Sequence, residues 1–197
     1  MSARADHAAI ASRVPDGARV LDVGCGDGEL LALLRAERQA DARGMEIDSR
    51  GAGLAIARGL SVIQGDADTD LEIFPDNGFD VTILSKALQH MLRPGHVLAE
   101  LTRLAPRVIV SFQNYGYMPR RLHLLVRGHI PSQGAWYREQ VIHPCTVSDM
   151  LMLARDTGLA PVAAAPVTGR RVGAFKKNGF GRLNWAARDV IAEFARA

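Results

Sequence analysis

Three glycines, at positions 24, 26 and 28, interrupt the stretch VLDVGCGDGELL between an apolar run and an amphipathic one. A loop of this kind brings backbone N–H groups close to a ligand at the start of a helix. The dinucleotide-binding fingerprint needs glycine at its first, third and sixth positions. Gly24 and Gly26 fill the first two, but the sixth position is Glu29. A carboxylate there competes with a pyrophosphate for the same helix start. The phosphate loop of nucleotide triphosphatases is also excluded, because no Gly-Lys-Ser/Thr follows Gly28. A ligand without phosphate that carries its own cation suits this loop better.

Further carboxylates follow in order along the chain. Asp22 ends the apolar run and can hold an ammonium group directly or through water. Glu46 comes twenty residues after Gly26, where an acid can accept from both hydroxyls of a ribose. Ile47 stands beside it. Asp66, in QGDAD, can accept from an adenine amino group while the Ala67 backbone amide faces a ring nitrogen. Ser85 can border the amino-acid end of the same ligand. Asp22, Gly24, Gly26, Glu46, Ile47, Asp66, Ala67 and Ser85 therefore form a candidate site for S-adenosylmethionine (SAM) or S-adenosylhomocysteine (SAH). Plainer readings exist for the acids. Asp22 caps the glycine turn, Glu46 is a solvated strand-end charge, and Asp66 starts a turn with Asp68 and Asp70.

These residues need a frame that gathers them. Short apolar runs over residues 19–23, 42–47, 60–64, 79–84 and 107–112 read as strands. Helical spacing marks 6–14, 29–38, 51–58 and 94–104, with Gly59 stopping the third and Pro94 opening the fourth. The alternation implies an α/β fold with a doubly wound, mostly parallel sheet, Rossmann-like in its windings. Such sheets bind ligands at the carboxyl ends of their strands, where the candidate residues fall. Residues 113–145 are richer in aromatic and basic side chains and read as an insertion over the sheet, with a short helix at 121–127. Thr146, with Asp149 three residues on, predicts a capped helix running to about Thr157. Two closing strands are expected at 159–164 and 171–175, and a C-terminal helix at 184–197.

Composition agrees with one globular domain over 1–197: the chain has 197 residues, of which 48% are hydrophobic. The formal net charge is +3, too small a surplus to indicate nucleic acid as a partner. Two cysteines offer neither a zinc pattern nor a disulfide framework, and no metal site is expected. No apolar run is long enough to cross a membrane, and the opening residues do not read as a signal peptide. A cytoplasmic setting is the expectation.

The ordered motifs resemble those of class I SAM-dependent methyltransferases, and more closely those of the methionine biosynthesis protein MetW family. The resemblance is carried by RVLDVGCGDGELL, GMEID, ARGLSVIQGDAD, FPDNGFDVTILSKALQ and RVIVSFQNYG. The stretches LLVRGHIP and WYREQVIHPCTVSDM resemble that family's insertion, and together these segments cover most of residues 10–160. The sequence departs from the family pattern at Gln113, at Met118 and at REQV before Ile142; after about Pro166 it carries no resemblance. The resemblance implies a seven-stranded sheet in the order 3-2-1-4-5-7-6 with the last strand antiparallel. It also implies association with homoserine O-acyltransferase.

Methyl transfer needs reactants positioned and water excluded, and needs a base only when the acceptor must lose a proton. Gln89, Asn114, Tyr115 and His143 are candidates near the ligand, and His90 in ALQHM is the catalytic candidate because imidazole titrates near neutrality. The plainer reading of His90 is a turn residue that packs or faces solvent. Two functions stay open. One is an active methyltransferase on a small acceptor. The other is a SAM- or SAH-binding module that works through an acyltransferase, with Trp136 and Tyr137 as interface anchors.

Overall fold

The computed structural model describes residues 5–129 and 142–197. Short apolar segments pair as parallel strands at its centre. They are β1 (Arg19–Val23), β2 (Asp41–Glu46), β3 (Ser61–Gln64), β4 (Val81–Ser85) and β5 (Arg107–Gln113). Helices lie between them: α1 (Ala5–Ala11) precedes β1, α2 (Glu29–Arg38) and α3 (Ser49–Ala57) follow β1 and β2, and α4 (Pro94–Leu104) precedes β5. Then come α5 (Met118–Arg127), α6 (Val147–Asp156), β6 (Leu159–Thr168), β7 (Arg171–Val172), α7 (Phe180–Ala186) and β8 (Asp189–Arg196).

Strand alternation divides the core between the two faces of the sheet. Val20, Val81, Ile83, Ile109 and Ile191 pack with Ile10 of α1 and Leu30, Leu31 and Leu34 of α2. Leu21, Val23, Leu84, Val108, Val110 and Phe112 pack with Leu98 and Leu101 of α4 and Met150 of α6. Burial on both faces explains why the central strands are mostly apolar along their length.

The sheet has eight strands in the order β3-β2-β1-β4-β5-β8-β6-β7, which corrects the expected seven and their numbering. The difference is the two-residue β7, which returns antiparallel on the end of β6; without it the other seven strands, counted in chain order, lie in the order 3-2-1-4-5-7-6 with the last antiparallel. A second correction concerns the C-terminus. Residues 184–197, expected as a helix, divide into the end of α7 and the strand β8. Strand β8 runs antiparallel between β5 and β6, with Val190, Ile191 and Phe194 fully buried. Alanine, glutamate and arginine favour a helix locally, and ladder pairing on both sides outweighs that preference. The expected strand at 171–175 shrinks to β7, and α5 begins three residues before the expected helix.

Candidate functional site

The carboxyl ends of β1, β2 and β4 border two adjoining cavities. The larger, about 340 Å³, is lined by Gly24, Glu46, Ile47, Asp66, Ala67, Ser85, Lys86 and His90 among others. The smaller, about 130 Å³, is lined by His7, Asp22, Gly24, Gly26, Glu29 and Ser85 among others. The eight candidate ligand-binding residues all border one or both. Gly24 and Ser85 belong to both and mark the junction.

The glycine loop is left-handed at each of its three glycines, with φ of 75° at Gly24, 56° at Gly26 and 79° at Gly28. Space also excludes a side chain at Gly24, where a Cβ would stand 2.7 Å from that of Ala87. The loop is tied to β2 by backbone bonds from Gly24 and Cys25 to the Met45 carbonyl, at 2.8 and 3.2 Å. The Glu46 carboxylate completes the tie, accepting from Gly26 N at 2.7 Å and Asp48 N at 2.9 Å, one to each oxygen. Each oxygen keeps a further lone pair for a ligand hydroxyl. The sequence placed Glu46 correctly at a strand end but showed nothing of its bond to Gly26.

Asp22 is 1% exposed, and its Oδ1 has no hydrogen-bond partner among the described residues. Burial, and then the neighbouring charge of Glu46, push its carboxyl up to about 8. An unpaired buried carboxyl is costly, so the site suits a ligand cation. At Asp66 the plainer reading is realised in part. Its Oδ1 accepts from Asp68 N at 2.9 Å and its own N–H donates to Asp70 at 2.8 Å, while the residue still borders the larger cavity.

Asp68 escaped the sequence reading as a positioning residue. It is buried, and it accepts from Leu92 N at 2.8 Å and Arg93 N at 2.7 Å, holding the segment after β4 as the cavity's far wall. Ile47 and Leu92, 64% and 67% exposed, border the same cavity and offer apolar surface to a flat base. His7 and Asp6 of α1 also escaped it. His7 Nδ1 lies 3.5 Å from Glu29 Oε2, and Asp6 Oδ2 lies 3.1 Å from Lys86 Nζ. The repeated acids in DADTD were the only sequence signal for this wall.

Other candidates have structural positions. His90 borders the larger cavity at its exposed rim. Gln89 instead braces the end of β5, donating to Gln113 O at 3.0 Å and accepting from Gln113 N at 2.9 Å. Asn114 is fully buried and donates to the carbonyls of Leu183, Asn184 and Ala187. His143 and Cys145 border a separate apolar cavity of about 240 Å³ with Leu88, Pro94, Met150 and Leu153. Burial, and then Asp149, push the Cys145 thiol up to about 12, so it is no ready nucleophile. Arg120 and Arg121 lie over the rings of Tyr115 and Trp185, at 4.6 and 4.2 Å. Trp136 and Tyr137 fall outside the described residues, as does most of the stretch between α5 and α6. No described helix is long and apolar enough to cross a membrane, and no metal-binding cluster occurs among the described residues.

An unpaired buried carboxyl at one end, a ribose-compatible carboxylate at the other and apolar walls beside it together suit an adenosyl amino acid. The family model for the methionine biosynthesis protein MetW matches residues 4–187. A bifunctional methionine biosynthesis protein MetXA/MetW from Rhodopirellula baltica is 32% identical over 134 residues, which is 64% of this chain and 22% of that protein. A fatty-acid O-methyltransferase from Mycolicibacterium smegmatis is 39% identical over 82 residues, 39% of this chain and 29% of that protein. The chain thus spans less than a third of the length of either relative. Among solved structures, a SAM-dependent methyltransferase from Thermotoga maritima superposes with a TM-score of 0.72 at 16% identity, covering 98% of this chain and 88% of the other. The fold is that of class I methyltransferases.

Asp22 sets a pH test on the ligand-free protein. Its folded pKa, about 8, lies above the ordinary carboxyl value of 3.8, so ionisation destabilises the fold progressively as pH rises between these values. Asp22→Asn removes the ionisation. The variant's melting temperature should exceed the wild type's by a margin that widens from pH 5 to pH 8 and then levels off. A margin independent of pH would contradict the assignment.

Proposed function

We propose that this chain, which belongs to the MetW family, binds SAM or SAH through the two joined cavities and acts with a homoserine O-acyltransferase in methionine biosynthesis. The observation that carries the cofactor reading is the buried Asp22 carboxyl in the smaller cavity, whose Oδ1 has no hydrogen-bond partner among the described residues, with Glu46 bordering the larger. Asp22 receives the ammonium of the amino-acid end, and Gly24 and Gly26 let the backbone approach it. Glu46 accepts from the ribose hydroxyls. Ile47 packs on the base, Asp66 and the Ala67 amide meet its polar edge, and Ser85 borders the amino-acid chain. When bound, SAM supplies an activated methyl group, and SAH is what remains after that group has left.

Residues 1–197 act as one such domain, in the cytoplasm. The partner reading is supported by the relative from Rhodopirellula baltica, which is a bifunctional MetXA/MetW protein. A second reading, active methyl transfer to a small acceptor, is favoured by the polar side chains of Lys86 and His90 along the larger cavity. His90 stays the candidate for proton transfer in that reading.

Titration calorimetry tests the cofactor assignment. Glu46→Ala should weaken SAH binding by about 1.5–3 kcal/mol, roughly 10- to 150-fold, because charged hydrogen bonds are lost. Glu29→Ala should change it less than about threefold. Equal losses in the two variants, or binding of NAD in place of SAM and SAH, would refute the assignment. The partner reading predicts that purified homoserine O-acyltransferase is retained by the immobilised chain, with retention altered by SAM. No retention in either condition would refute it.

A further inference from the structure

We propose that Lys86 anchors a carboxylate-binding site at the junction of the two cavities, where a second, monoanionic ligand of the carboxylic-acid class docks. What that ligand meets beside it rests on the adenosyl reading above. The anchor's own chemistry does not.

Backbone geometry singles out the residue. Lys86 follows β4 with φ of 59°, a left-handed conformation that is strained for a residue with a side chain. Its N–H donates to the Ser111 carbonyl at 2.9 Å, which fixes the turn against β5. Lys86 lines the larger cavity, immediately after the Ser85 that both cavities share, and its ammonium reaches toward α1. A ligand running from one cavity into the other must pass between Gly24 and Ser85, and Lys86 is the cation next to that passage.

Charge then selects the class of ligand. In the ligand-free protein the Lys86 ammonium lies 3.1 Å from the carboxylate of Asp6, a buried residue of α1. Its charge also acts on Asp189, together with Arg188 and Arg120, against the burial that raises that carboxyl. The ammonium already has one carboxylate partner, and its three N–H donors allow an incoming carboxylate to join Asp6 on it. A phosphate dianion would bring twice the charge of a carboxylate toward Asp22, Glu46, Asp66 and Asp68 around the same two cavities. An amine would meet the like charge of Lys86. The Ser85 hydroxyl, which lines both cavities and is backed at 3.3 Å by the buried Ser111 hydroxyl, supplies a donor for the second carboxylate oxygen. Met91, on the wall of the larger cavity, offers apolar surface to the ligand's tail. A carboxylate is also an anion from the start, so as an acceptor it would require no side chain to take a proton.

The probe is hexanoate, titrated into the free chain and into its SAH complex by two-dimensional NMR. Hexylamine and inorganic phosphate serve as comparisons. Hexanoate should shift the amides of Ser85 and Lys86. Its affinity should fall at least tenfold in Lys86→Met and recover toward wild type in Lys86→Arg, while SAH affinity stays within threefold in both. Equal hexanoate affinity in wild type and Lys86→Met would overturn the proposal. So would hexylamine or phosphate shifting the same amides as strongly. Failure of SAH to bind, with hexanoate behaving as stated, would remove the adenosyl reading and leave the Lys86 site standing.

Discussion

One carboxylate holds the site together. Glu46, at the end of β2, accepts from Gly26 in the loop after β1 and from Asp48 at the start of the next helix. The glycine loop, the end of β2 and the start of the next helix are thereby fixed to one another. The glycine loop keeps its left-handed turns because its N–H groups have these partners. Helix α3 begins where it does because Asp48 accepts from Gly51 N at 2.8 Å. The same charge lies near Asp22 and is one of the two causes of its raised pKa, after burial. Two carboxyls so placed form a site that a ligand cation relieves, which is how the local packing leads to the proposed chemistry.

The far side of the sheet serves the site from a distance. Glu193 of β8 is 2% exposed and carries a charge into the core. It is paired with Arg13 and Arg107, each at 2.5 Å, and removal of such a buried partner costs about 3–5 kcal/mol. Arg13 follows α1 directly, and α1 brings Asp6 and His7 to the cavities. The antiparallel insertion of β8 between β5 and β6 therefore reaches the ligand site through one ion-pair triad. Asn114 does similar work at the end of β5, joining the loop before α5 to the ends of α6 and α7.

Much of the first half was legible in the sequence because its signals are local. Short apolar runs ended by glycine mark β1 and its loop, and the order of acids after successive strands marks the cavity rim. The Thr146 and Asp149 capping box is present as its spacing implies. The rest depends on contacts distant in sequence. Nothing in NWAARDVIAEFARA reveals that Glu193 meets arginines 180 and 86 residues earlier, and without those partners the segment reads as a helix. Asp68 looked like one acid among several, and its bonds to Leu92 and Arg93 exist only once the loops meet. The stretch after β5 showed only a mixture of basic and aromatic side chains, and the placing of the Arg120 and Arg121 guanidinium groups over rings of the protein itself exists only in the fold.

The central claim is that Asp22 and Glu46 hold the two ends of one adenosyl amino acid across the Gly24–Ser85 junction. A crystal structure of the chain with SAH measures this directly. The account predicts the ribose hydroxyls within hydrogen-bonding distance of the Glu46 carboxylate, the ammonium on Asp22, and the sulfur between Gly24 and Ser85. SAH bound with its ribose away from Glu46, or lying wholly within one cavity, would contradict it.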